Sequence, residues 1–86
     1  MKAYIFHYYS KSSRNYVDIK DFPSEYFMFL ELRSHLRLSR ANFIRIIKDS
    51  PSIQDNVPNW IFRRDNDRNM VLELYIGSEY LYSIPF

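Results

Sequence analysis

Two alternating runs meet at the dipeptide Gly77-Ser78, and they leave the C-terminal third little choice of architecture. Met70, Leu72, Leu74 and Ile76 alternate with Val71, Glu73 and Tyr75, the period-two pattern of a half-buried strand. Tyr80, Tyr82, Ile84 and Phe86 repeat that period on the far side. A two-residue loop with glycine first fits a type II′ turn, whose twist matches that of paired strands. Trp60 and Phe62, alternating with Ile61 and Arg63, supply another strand, joined through the turn residues Asp65-Asn66-Asp67. Three antiparallel strands are therefore expected from residue 60 onward.

The N-terminal half is expected to contribute one strand and two helices. Residues 3–9 are almost all β-branched or aromatic, with Tyr4, Phe6 and Tyr8 on one face and Ile5, His7 and Tyr9 on the other. Ser10–Asn15 is polar and basic and reads as a mobile loop, while Tyr16–Lys20 alternates weakly and fits a strand or a loop. Pro23 sits where a helix begins. Phe22, Tyr26, Phe29, Leu30, Leu32 and Leu36 then fall on one broad helical stripe. Ser39 can cap a second helix to about Asp49, with Phe43, Ile44, Ile46 and Ile47 as its apolar face and Ser50-Pro51 as its stop. The segment Ser52–Asn59 reads as a loop. The expected fold is a small two-layer α+β domain over residues 1–86: strand, helix, helix, three strands, with two helices on one face of an antiparallel sheet.

Composition removes several function classes. Hydrophobic residues make up 47% of the chain and aromatics 19%, too many for a disordered segment. With no cysteine there is no disulfide, thiolate nucleophile or thiolate metal site, and a single glycine excludes a glycine-rich phosphate loop. Asp and Glu are scattered without the spacing of a metal helix, so neither metal nor cofactor is expected. The apolar run Ala3–Phe6 is too short for a signal or a membrane span, and a cytoplasmic location without membrane contact is expected. The excess of Ile, Asn, Tyr, Phe and Ser over Gly is the bias of AT-rich coding, as in many phage genomes.

Twelve basic against ten acidic side chains give +2, which permits a nucleic-acid partner without requiring one. Arg33, Arg37, Arg40, Arg45 and Lys48 form a basic segment among aromatic neighbours, of a kind that binds nucleic acid. Long arginine stems lying along a helix flank explain the same residues without a ligand. Arg33 falls among core positions and needs either a carboxylate or a ligand. Arg63, Arg64 and Arg68 flank the acidic turn, where they can reach phosphates or pair across the hairpin, and Arg64 is expected to contribute little to folding. Tyr75, Tyr80 and Tyr82, with Tyr9 and His7, can decorate an open sheet face on which single-stranded bases stack; sheet packing or a protein partner explains the tyrosines equally.

Three functions follow from these residues. The first is non-catalytic binding of RNA, a nucleoprotein or a host protein, by a monomer or a homodimer. In a phage setting such a module would inhibit a host defence nuclease in antitoxin-like or anti-CRISPR-like fashion. The second comes from element order, which is similar across the whole chain to that of small bacterial messenger-cleaving toxins, although no motif is shared. That similarity implies metal-free ribonuclease chemistry with Arg, Lys and Tyr, and here His7, Arg63 and Tyr82 are its candidates, with His7 and His35 a possible acid/base pair. The third is a winged-helix DNA-binding regulator, with Leu32, Leu36, Leu38, Phe43 and Ile46 buried, Ser39–Ile47 as recognition helix and the hairpin as wing. Its turn lacks glycine, and Arg33 stands where a small residue belongs.

Overall fold

The computed structural model describes residues 1–10 and 15–86. Most of the loop expected over Ser10–Asn15 lies outside the described residues. Six strands form one antiparallel sheet: β1 (Lys2–Tyr8), β2 (Tyr16–Asp21), β3 (Phe43–Lys48), β4 (Pro58–Arg64), β5 (Met70–Ile76) and β6 (Glu79–Pro85). Their order across the sheet is β2-β1-β3-β4-β5-β6, and a single helix, α1 (Glu25–Leu38), leaves β2 and returns the chain to β3 on the other side of β1.

This corrects the expected strand–helix–helix–three-strand order: the described residues hold six strands and one helix. Residues 43–48 form a strand paired with both β1 and β4, with Ile5 opposite Ile46 and Ile44 opposite Phe62. Apolar residues at 43, 44, 46 and 47 satisfy helical spacing and nearly satisfy alternation, so periodicity alone does not decide. Three isoleucines in six residues do, because β-branching restricts χ1 in a helix and packs well on a pleated surface. Helix α1 has already ended, with the Ser39 N–H bonded to His35 O and Leu38 90% exposed. The recognition helix required by a winged-helix regulator is thus strand β3. The element order shared with messenger-cleaving toxins is gone as well.

Helix α1 starts at Ser24, whose hydroxyl accepts the Phe27 N–H at 3.3 Å, with Glu25 in the electropositive first turn. Met28, Phe29, Leu32 and Leu36 are its buried face, spaced one and two turns apart. Tyr26, expected on that stripe, is 63% exposed and packs edge-on against Phe27, which is exposed as well. The buried face meets Ala3, Ile5, Ile44, Ile46, Trp60 and Phe62 on the sheet, with Phe29 edge-on to both Trp60 and Phe62.

One helix is too small for this sheet. Six strands about 4.8 Å apart span roughly 24 Å, whereas a helix with its side chains is about 10 Å across. Consequently both edge strands, β2 and β6, are exposed throughout, and among the described residues no helix or second sheet covers the face opposite α1, although Ile47, Asn59 and Ile61 on it are buried. At Gly77 the β5–β6 turn forms as expected: Gly77 has φ 58° and Ile76 pairs with Glu79. A Cβ there would lie 3.2 Å from Gln54 O, since the 49–57 connection runs against this turn.

Candidate nucleic-acid interface

Strand alternation decides which side chains reach the open face. On β1 and β3 these are Tyr4, Phe6, Tyr8, Phe43, Arg45 and Ile47, opposite the core residues Ala3, Ile5, Ile44 and Ile46. Tyr8 and Phe43, directly paired across the two strands, stack with ring centroids 4.5 Å apart. Further across, Arg63 and Tyr75 continue the face, and the Arg45 guanidinium lies 5.3 Å from the centre of the Tyr75 ring. Tyr80 pairs with Tyr75 and meets it edge-on at 5.7 Å. A row of partly exposed rings with guanidinium groups among them therefore covers the surface that no helix occupies.

Two of the cations are held in place by neighbours. Arg45 Nη1 donates to Asn59 Oδ1 at 2.5 Å, while Asn59 Nδ2 donates to Gly77 O at 2.8 Å and to Val57 O at 3.3 Å. The fully buried Asn59 thus orients Arg45 and ties the β5–β6 turn to the preceding connection. Arg63 pairs with Glu73 at 3.3 Å on the same face. Counting Lys2, Arg45 and Arg63 against Asp21 and Glu73, the face carries one net positive charge.

The residues expected to bind are not gathered in one place. Arg45, Arg63, Tyr75 and Tyr80 share the open face. Tyr82 does not: a register shift between Leu74 and Tyr75 leaves Leu81 unpaired, so Tyr82 pairs with Leu74 on the helix side. His7 is buried and also on the helix side, and Tyr9 packs against the core. Lys48 bonds Glu25 at 3.2 Å and lies 5.5 Å from the Trp60 ring centre. Arg33 pairs with no side-chain carboxylate among the described residues: its Nη1 donates to Phe86 O at 3.2 Å, and its guanidinium lies over the Phe86 ring.

Arg37, Arg40, Arg64 and Arg68 do converge, on a cleft beside the C-terminal end of α1. Arg64 is not the weakly attached turn residue that its position in sequence suggests. Its guanidinium donates to the backbone oxygen of Leu36, one of the carbonyls that the end of a helix leaves open, and to those of Ser39 and Ala41 in the connection beyond.

The two histidines are neighbours, with ring centroids 5.0 Å apart and planes near perpendicular. They line a cavity of about 340 Å³ between α1 and β2 together with Asp18, Lys20, Glu31 and Ser34. His7 stacks on Tyr16 at 4.2 Å, and among the described residues neither ring nitrogen has a hydrogen-bond partner. Burial, reinforced by His35, holds its pKa below the ordinary histidine value, against an opposing pull from Asp18. Arg63 and His7 lie on opposite faces of the sheet, so the three residues proposed for toxin-like cleavage form no common site.

Sequence reasoning placed Tyr4, Phe6 and Tyr8 on one face without assigning them a role, and it left Phe43 in a helix core. The signal was available in the alternation of β1, whose face opposite Ala3, Ile5 and His7 is aromatic at all three of these positions although only one face can meet a helix. Comparison with protein-family models, curated proteins and solved structures yields no match for this chain. Among the described residues no helix is long and apolar enough to cross a membrane.

Proposed function

We propose that this protein is a non-catalytic binding module for single-stranded RNA, held across the open sheet face. The observation that carries the reading is the ring surface of Tyr4, Phe6, Tyr8 and Phe43, continued by Arg45 and Tyr75 on a face without a covering helix. Every base offers a flat π-surface, so such a platform accepts single strands with little regard to sequence, each stacked base contributing about 1–3 kcal/mol. Two stacked bases supply about 2–6 kcal/mol, short of the roughly 8 kcal/mol of a micromolar complex. Phosphate contacts from Arg45, Arg63 and Lys2 must provide the rest, and binding should therefore weaken with salt. The narrower role, an inhibitor occluding a host defence nuclease, rests on the AT-rich composition alone; an RNA covered on the sheet face is its means.

A fluorescently labelled single-stranded RNA hexamer titrated with protein tests the reading. Phe6→Ala or Tyr8→Ala should weaken binding at least fivefold, as expected for the loss of one stacked base. Absence of binding at about 50 mM salt would leave a protein as the partner. Cleavage of the hexamer, lost in His35→Ala, would make the protein a ribonuclease using the His7–His35 cavity.

A further inference from the structure

We propose that the arginine cleft beside the end of α1 is a receptor for a multiply charged phosphate, either a terminal phosphate monoester or a pyrophosphate. The cleft lies on the helix side of the sheet, away from the aromatic face, and the inference stands whether or not that face binds RNA. Arg37 from the last turn of α1, Arg40 just beyond it, Arg64 from the end of β4 and Arg68 from the β4–β5 turn surround a cavity of about 670 Å³, with Ser39 and Met70. Among the described residues no carboxylate lines it and the three ion pairs involve none of these arginines, although Arg37 and Arg68 also line an adjoining cavity with Asp65.

The end of a helix ordinarily repels anions, because its open carbonyls carry about half a negative charge. Here Arg64 cancels that charge from beneath. Its guanidinium donates to Leu36 O in the last turn and to Ser39 O and Ala41 O just beyond it, which sets a positive charge against the end of the helix. Arg37, Arg40 and Arg68 remain exposed around it. Ser39 Oγ accepts the Ala41 N–H, leaving its hydroxyl proton for an acceptor.

Backbone strain supplies an independent observation. Among the described residues, three that are not glycine have positive φ: Asp49, Asn56 and Arg68. Asp and Asn tolerate the left-handed region; arginine has no such excuse. Arg68, at φ 64°, stands where glycine would relieve the strain, and the turn around it is fixed by the Arg68 N–H to Asp65 O bond at 3.0 Å and by Asp65 Oδ1 accepting two further N–H groups. Strain of this kind is retained where the side chain is needed.

Charge density points to the class of phosphate. Internal phosphodiesters carry one charge each and are spread along a strand, whereas three guanidiniums facing one cavity match an anion that concentrates charge. A terminal phosphate carries between one and a half and two negative charges near neutrality and accepts bidentate arginine contacts.

The test uses the full chain at low salt. Pyrophosphate is titrated calorimetrically, and a 5′-phosphorylated RNA hexamer is compared with its 5′-hydroxyl counterpart by anisotropy. One-to-one pyrophosphate binding is expected, weakened at least tenfold in Arg40→Ala and in Arg68→Gly. Arg68→Gly should keep or raise the unfolding midpoint, which excludes misfolding as the cause. If pyrophosphate also abolishes an extra affinity of the phosphorylated hexamer, the source is a strand end. If pyrophosphate binds but the hexamers do not differ, the source is a free phosphate compound. Binding of the hydroxyl hexamer reports on the sheet face alone. No pyrophosphate binding together with equal hexamer affinities, or binding unchanged in both variants, would overturn the inference.

Discussion

Replacing Arg64 with alanine should cost this fold more than replacing any other arginine near the β4–β5 turn. The side chain donates to three backbone oxygens, those of Leu36, Ser39 and Ala41, and so fastens the end of α1 and the start of the 39–42 connection to the end of β4. A hydrogen bond to a charged group contributes about 1.5–3 kcal/mol when its loss leaves a buried partner unsatisfied. The cleft is open, so water replaces part of each bond, and we expect a net loss of about 2–3 kcal/mol rather than three full increments. For a domain of this size that is a fall of roughly 10–20 °C in Tm. Thermal and urea unfolding followed by circular dichroism measure it, with Arg40→Ala as control. Arg40 is exposed and makes no ion pair among the described residues, so its loss should stay within about 0.5 kcal/mol. An Arg64→Ala midpoint equal to that control would refute the clamp, showing that water satisfies the carbonyls as well as the guanidinium does.

Two further outcomes test the turn and the buried imidazole. Gly77→Ala should destabilise by about 1–2 kcal/mol, since the left-handed backbone is costly for alanine and its Cβ would press on Gln54 O at 3.2 Å; urea unfolding at neutral pH checks this. For His7 the folded pKa lies below the unfolded value of 6.5, so the unfolded chain binds the proton more readily. Its contribution is complete above pH 6.5 and is lost as pH falls toward the lowered folded pKa, and His7→Gln should flatten that part of a stability–pH profile.

The parts of the fold legible in the sequence are those where one physical rule decides alone. The β5–β6 hairpin is one, because alternation on both sides of Gly77-Ser78 admits a single geometry. The body of α1 is another, although Tyr26 was misplaced: its angle fits the stripe, but the core ends before reaching it. Residues 43–48 were misread because their apolar spacing suits a helix too, and only neighbouring strands on both sides show that alternation prevails. Tyr16–Lys20 stayed ambiguous for a different reason. All six residues of edge strand β2 are exposed, so no buried face sharpens its weak alternation. The bulge that separates Tyr80 from Tyr82 leaves no mark in a run that alternates on paper. The cleft and the open face were illegible as wholes, because each assembles residues from separate elements whose order in the sheet was unknown.

The central claim is that the face opposite α1 binds single-stranded RNA. Adding an unlabelled RNA hexamer to isotopically labelled protein and following backbone and aromatic chemical shifts tests it most directly. The account predicts shifts concentrated at Tyr4, Phe6, Tyr8, Phe43, Arg45 and Tyr75, with Ile5, Ile44 and Phe62 on the helix side little changed. Shifts confined to the helix side of the sheet, or none at low salt, would contradict it.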